Sequence, residues 1–277
     1  MKKASIYFLT LFVVTMSLFS CDPAEEEINT NNQNVDSEHL AASAQIDFVN
    51  DMDFSTGVQA ENDNVDGKTT TAAFGPFDCA VITVETPTTE TFPKIFHIDF
   101  GTGCLYNGIL RKGKLKITVS NYITETGSTM KIERENYYVN GIKVEGTVNY
   151  VNETTTPTIP QWSRTITDGK LTNLQGTVFL HSGTHTVKQT GGAATLTLQD
   201  NVYEVTQGNH SITKENGTTL ILTVLTPLVK NFSCAYVSKG KLKIEGIING
   251  VIDYGNGECD NLATYTHQNG VVYNLTL

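Results

Sequence analysis

Basic residues are scarce in this chain: 19 Lys and Arg stand against 29 Asp and Glu in 277 residues, a formal net charge of −10. That shortage excludes the basic stripe that neutralises nucleic-acid phosphates, so no nucleic-acid partner is expected. Catalytic signatures are missing as well. No Gly-x-Ser-x-Gly, His-Glu-x-x-His or phosphate-binding loop occurs. No two of the five cysteines lie two to four residues apart, which removes the usual zinc spacing. No apolar run reaches the roughly twenty residues of a permanent membrane-spanning helix. Beyond residue 75 no stretch carries a helical apolar period. These absences leave a non-enzymatic protein without a cofactor as the leading expectation, with a hydrolase built from scattered residues as the remaining alternative.

What is present begins with an address. Lys2 and Lys3 precede an apolar run over residues 4–19, closed by Leu18-Phe19-Ser20-Cys21. A positive flank before a short apolar stretch is the physical signature of an export signal. The ending resembles a lipobox, with Leu18 at −3, Ser20 at −1 and the Cys21 thiol as acceptor of diacylglycerol; Phe19 departs from the small residue usual at −2. The plainer alternative is an ordinary cleaved signal followed by a chance cysteine. Acyl chains on Cys21 would hold the protein to a membrane at about 0.8 kcal/mol per buried methylene.

The charge is split along the chain. Loss of residues 1–20 takes Lys2 and Lys3 with it and leaves 17 basic against 29 acidic residues. Residues 22–70 hold 12 of those acids and a single base, Lys68, whereas residues 71–277 are almost neutral. Residues 21–73 therefore read as a self-repelling acidic tether between a signal peptide at 1–20 and a folded domain at 74–277. Within the tether, Ser37 is a candidate cap for a short helix running through Phe48, Val49 and Met52, with Leu40, Ala44 and Phe48 on one stripe. A transient helix in a disordered segment is the alternative.

The folded part reads as strand and turn throughout. Apolar residues alternate in Lys114-Leu115-Lys116-Ile117-Thr118-Val119, in Lys241-Leu242-Lys243-Ile244 and in Val272-Tyr273-Asn274-Leu275-Thr276-Leu277. Asn140-Gly141, Asp168-Gly169, Asn216-Gly217, Asn249-Gly250 and Asn269-Gly270 predict tight reversals, because these pairs tolerate the positive φ angles of type I′ turns. The spacing predicts an all-β domain of roughly 12–16 antiparallel strands, arranged as a curved meander, a sandwich or a half-barrel.

Two segments echo each other. Ile98-Asp99-Phe100-Gly101-Thr102-Gly103-Cys104 matches Ile252-Asp253-Tyr254-Gly255-Asn256-Gly257-Glu258-Cys259 with one insertion. Lys112-Gly113-Lys114-Leu115-Lys116-Ile117 matches Lys239-Gly240-Lys241-Leu242-Lys243-Ile244, but its order relative to the cysteines is reversed, which argues against simple tandem duplication. Four cysteines allow three pairings. The equal separations within matching contexts favour Cys79–Cys104 and Cys234–Cys259, in an exported chain where thiols oxidise readily.

The acids after the anchor, Asp22-Pro23-Ala24-Glu25-Glu26-Glu27, together with Cys21 and the Ile-Asp-(Phe/Tyr)-Gly-x-Gly turns, carry a resemblance to surface lipoproteins of Bacteroidetes for which no activity is known. That resemblance implies an outer-membrane, outward-facing location. In enteric bacteria an Asp after the lipid cysteine resembles an inner-membrane retention signal, so a periplasm-facing placement is the alternative. Expected partners are the membrane, through the lipid, and a glycan or an envelope protein. A carrier whose curved sheet cradles an apolar ligand is a second functional reading.

The remaining constellations favour structure over chemistry. Asp253, Asn256, Glu258 and Asp260 are weak calcium candidates whose spacing is not that of an EF-hand, and an Asp in such a turn ordinarily accepts backbone N–H bonds. His181 and His185 share one strand face but stand roughly 13 Å apart, too far for one metal. The lysine stripes Lys114/Lys116 and Lys241/Lys243 read as protected edge strands. Trp162 and the Tyr137-Tyr138 pair could stack a sugar, although such residues more often roof a β core.

Overall fold

The computed structural model describes residues 30–63, 79–85, 91–106, 108–195, 198–234 and 236–277. Cys21, the export-type segment and the acids beside it lie outside the described residues. The elements are one helix, α1 (Thr30–Asp63), and strands β1 (Val81–Val84), β2 (Lys94–Asp99), β3 (Cys104–Tyr106), β4 (Ile109–Val119), β5 (Thr129–Val139), β6 (Ile142–Asn152), β7 (Gln161–Thr172), β8 (Val178–Gly191), β9 (Val202–Lys214), β10 (Thr219–Asn231), β11 (Lys239–Gly246), β12 (Gly250–Asn256), β13 (Leu262–His267) and β14 (Val272–Thr276). A single 3-10 turn, Leu198–Asp200, precedes β9.

All fourteen strands belong to one antiparallel sheet in which neighbours in sequence are neighbours in space, except that β2 and β3 lie end to end along β4. The expectation of an all-β meander holds. No second sheet covers the first among the described residues, so the sandwich alternative is not the architecture. Thirteen strands follow one another along the sheet from β1 to β14. Every pairing is antiparallel, so the first and last strands point the same way. Closure would require a parallel pairing, which is weaker per residue, and the sheet stays open.

The sheet curls because bulges cross it. Register shifts interrupt β4–β5 between Lys112 and Lys114, β6–β7 between Glu145 and Thr147, and β7–β8 between Ile166 and Gly169. Each bulge adds twist and bends its strand. Gly113 sits at φ 87°, where a Cβ would lie 2.0 Å from the Asn136 carbonyl oxygen, so only glycine permits that close approach. The pair Asp168-Gly169, expected as a hairpin, is one of these bulges inside β7; Asn140-Gly141 is a true reversal with both residues at positive φ.

Much of the inward face is apolar: Phe96 and Ile98 on β2, Leu115, Ile117 and Val119 on β4, Met130 and Ile132 on β5, Leu220 and Leu222 on β10, and Ile244 and Ile252 further on. They face α1, the only helix among the described residues that fills the concavity. At 1.5 Å per residue its 34 residues extend about 50 Å. Ala42, Ile46, Val49, Asp53 and Ala60 lie on its buried stripe at helical spacing. Tyr254 on β12 lies within electrostatic reach of Asp47, which on another side pairs with Arg164 on β7. Strands from both halves of the sheet thus close around the helix.

Within the stretch expected as a solvated tether with a short helix, Thr30–Asp63 is one helix, and from His39 to Ala60 it repeatedly buries side chains in the core. Asp53 and Glu61 are buried against the sheet, and the partly exposed Glu38, Asp47 and Asp51 pair with its cations. The lysine stripes also differ from expectation. β4 and β11 are interior strands, and on their convex face Lys114 and Lys241 make cross-strand ion pairs with Asp99 and Asp253.

The sequence echoes coincide as one two-stranded unit used twice. Asp99 opposes Lys114 and Ile98 opposes Leu115; Asp253 opposes Lys241 and Ile252 opposes Leu242. At each end of the sheet the Lys-Gly-Lys strand is inner and the Ile-Asp strand outer, with identical register but reversed chain order.

Both expected disulfides are formed: Cys79–Cys104 and Cys234–Cys259, each across 25 residues, with Cα separations of 5.3 and 5.4 Å. They staple opposite ends of the open sheet. In the chain-entropy account each loop closure stabilises by roughly 3 kcal/mol. Reduction should lower the urea midpoint markedly at unchanged pH, and single Cys104→Ser or Cys259→Ser variants should each lose about half of that effect. An unchanged midpoint after complete reduction, verified by thiol titration, would remove the staples from the account.

Candidate functional site

Polar chemistry concentrates where α1 meets the sheet. Asp53 is fully buried and accepts four hydrogen bonds: from Arg111 Nη2 at 2.9 Å, Arg134 Nε at 2.9 Å, Arg134 Nη2 at 2.8 Å and the Tyr137 hydroxyl at 2.7 Å. One carboxylate serves two guanidinium groups. The second positive charge is spread over neutral acceptors and rings: Arg111 donates to Thr56 Oγ1 and lies 4.0 Å from the centroid of Phe100, while Arg134 also donates to Asn50 Oδ1. Burial, and then the neighbouring Asp53 charge, push the Tyr137 phenol well above its ordinary value.

One helical turn earlier, Arg164 reaches from β7 to Asp47 at 2.6 Å and Asp51 at 3.4 Å, and Lys230 on β10 approaches Asp51 at 3.9 Å. Burial opposes the charge on Asp47, but Arg164 and the nearby imidazoles prevail and hold its carboxyl down at about 2. Asp51 goes the other way, raised by burial that its cations only partly offset. At the far end of α1 the Glu61 carboxylate accepts the Ile123 N–H at 2.9 Å. Burial still lifts it to about 7.

Beside Arg164 stands a histidine triad that strand spacing alone did not suggest. His181 and His185 are indeed on one face of β8, and His210 of β9 fills the gap between them opposite Gly183. Ring centroids are 5.4 Å apart for His181–His210 and 6.0 Å for His185–His210. A Cβ on Gly183 would lie 2.3 Å from the Asn209 carbonyl oxygen, so the His-x-Gly-x-His pattern is the signal for this close approach. Arg164 Nη2 lies 3.1 Å from His185 Nδ1. Arginine can only donate, so His185 is neutral with its proton on Nε2. Burial, followed by Arg164 or neighbouring imidazole, drives His181 and His185 to about 3; burial drives His210 to about 4.

A small pocket opens beside this network, lined by Asp51, Phe54, Tyr150, Trp162, Val187 and Tyr203, with room for about one water molecule. Trp162 and Tyr137 are buried in the core, so they do not form an exposed sugar platform.

Of the calcium candidates, Asp253 and Asn256 lie on β12, and Glu258 and Asp260 lie in the loop that follows it. Asp253 accepts the Gly255 N–H at 3.0 Å and pairs with Lys241 at 2.9 Å; Asp260 accepts the Leu262 N–H at 3.0 Å. Asn256 and Glu258 are exposed. Asp99 repeats the first arrangement with Gly101 and Lys114. No group of three or more His, Cys, Asp or Glu side chains is positioned to hold a metal ion among the described residues.

Neither family models, curated proteins nor solved structures match this chain. The site is therefore read from its own geometry. Its carboxylates are engaged by cations or a backbone N–H, its imidazoles are held neutral, and the chemistry it performs is to clamp an acidic helix into a cationic, apolar groove.

Proposed function

We propose that this chain is a cell-envelope lipoprotein, kin to the surface lipoproteins of Bacteroidetes, held to the membrane through acyl chains on Cys21. Its β domain acts by binding or bracing envelope components at its outer surface rather than by catalysis. The observation that carries this reading is the filled concavity. The face on which a curved sheet would receive a ligand is occupied by α1, whose Asp53 and Asp47 lock onto Arg111, Arg134 and Arg164. What stays available is the convex face, where Leu110, Leu180, Ile221 and Leu225 are exposed. Two formed disulfides agree with a compartment beyond the cytosol.

The carrier reading draws less support, since the groove offers a pocket of about one water beside the helix. Metabolic labelling with a fatty acid tests the anchor: label should follow the wild-type chain and disappear with Cys21→Ser, which should also release the protein from membranes. Persistent labelling of that variant would overturn the proposal. Native mass spectrometry of the released chain without any co-purified apolar ligand, together with glycan-array binding, would favour a binding module over a carrier.

A further inference from the structure

Among the described residues no strand pairs with the outer side of β14, and this edge differs from the rest of the surface. Residues 261–277 contain no Lys, Arg, Asp or Glu, in a protein in which 17% of residues are charged. The inner neighbours of this edge carry lysines and acids on their convex face, as at Lys241, Lys243, Glu245 and Asp253. An unpaired strand presents a row of N–H and C=O groups, and proteins that stay monomeric ordinarily blunt it with charge, proline or a bulge. β14 has none of these. Its side chains are open to solvent, with Val272 59% and Tyr273 37% exposed, next to Leu262 at 57%. The opposite edge, β1, is only four residues long.

The ladder fixes which groups are free. Leu277 donates its N–H to Asn261, and Val271 accepts that of His267. Residues 271, 273, 275 and 277 thus turn their backbone toward β13, and Val272, Asn274 and Thr276 turn theirs outward. This outward set is centred on Asn274.

We propose that β14 is a self-association edge, pairing antiparallel with β14 of a second copy about a two-fold axis through Asn274. Asn274 then opposes its own counterpart and Val272 opposes Thr276 of the other copy. Three N–H donors from each copy meet three carbonyls, leaving no outward group of the strand unpaired. The side-chain pattern agrees with this register. Tyr273 and Leu275, on the inner face with Tyr265 and Ala263, come to oppose each other across the axis as an apolar pair, extending the Tyr265–Tyr273 stack at 6.0 Å. No like charges meet. A pairing of β14 with β1 of another copy in the same orientation would be parallel, would engage only four residues, and would leave an edge free on each side.

Sedimentation velocity on the chain carrying Cys21→Ser tests this independently of the lipid anchor. A reversible monomer–dimer equilibrium is expected between about 1 and about 100 µM, the range of a small, exposed interface. Asn274→Lys places like charges directly opposite at the axis and should raise the dissociation constant at least ~10-fold with an unchanged thermal midpoint. Asn274→Cys should form an intermolecular disulfide under mild oxidation, because directly opposed residues of a hydrogen-bonded pair stand about 5.5 Å apart. A chain that is monomeric throughout the range overturns the proposal. So does a dimer that is insensitive to Asn274→Lys and is not crosslinked through Asn274→Cys.

Discussion

Asp53→Ala should destabilise the fold by about 3–5 kcal/mol, because it strands Arg111 and Arg134 in the core without their counter-ion. For a domain of this size that corresponds to a fall in Tm of roughly 10 °C or more. Every group that Asp53 serves is buried: the Asp53 and Arg134 side chains are 0% exposed and that of Arg111 6%. Water therefore cannot replace the lost acceptor. Asp53→Asn keeps the volume and one acceptor oxygen but not the charge, and should fall between wild type and Ala. Replacing Arg111 and Arg134 by Met alongside Asp53→Ala should recover part of the loss, since removing both partners of a buried pair spares the desolvation cost. Thermal melts followed by circular dichroism read all three. A loss below about 1 kcal/mol for Asp53→Ala would show that the cluster does not fasten α1.

Acid should release the helix, and the histidine triad sets where. His181, His185 and His210 titrate near 3, 3 and 4 in the folded chain, against 6.5 for an ordinary imidazole. Between those values the unfolded chain binds more protons than the folded one, so stability is fully present above pH 6.5 and declines as pH falls toward 4. Asp47 adds a further loss below 3.8. Glu61 works against this trend: its carboxyl titrates at about 7 rather than 4.5, so it contributes stability that fades as pH rises through that interval. Asp51, also raised by burial, acts in the same sense as Glu61, and three imidazoles outweigh these two carboxyls. Each pKa unit is worth ~1.4 kcal/mol, so even one histidine's share is several kcal/mol out of the 5–15 typical of a whole domain. Urea unfolding should show a steep drop in stability between pH 6 and 4, shallower in a His210→Gln variant. Equal stability at pH 7 and pH 5 would contradict the buried, neutral triad.

Local rules carried much of the architecture. Alternation placed Leu115, Ile117 and Val119 on one face, and Asn140-Gly141 marked a reversal, because both signals act over two to six residues. Equal spacing in matching contexts was enough to pair four cysteines. Alternation does not say which strands become edges, so the lysine stripes of β4 and β11 were misplaced there. Asp168-Gly169 carries the same dipeptide signal as a hairpin, yet the flanking strand continues and the pair becomes a bulge.

The helix was the hardest element to read. Its buried face includes His39, Ser43, Asn50, Asp53, Thr56 and Glu61, so an apolar stripe could describe only a fraction of what it buries. Twelve acids against one base suggested repulsion and solvent. The cations that neutralise them lie 58 to 117 residues away for Arg111 and Arg164, a distance at which no local pattern operates. His210 is likewise invisible beside His181 and His185 until β9 pairs with β8.

By itself the sequence determined that this protein is antiparallel β, where most of its turns fall, which cysteine pairing is favoured, and that its excess of acid is concentrated in residues 22–70. Tertiary structure alone decided that those acids return into the sheet, that the sheet remains open at β1 and β14, and that three histidines share one buried site. The physical reason is range. Period, turn propensity and spacing are properties of neighbouring residues, whereas the worth of a buried charge depends on which distant strand supplies its partner and on whether water is shut out when it does.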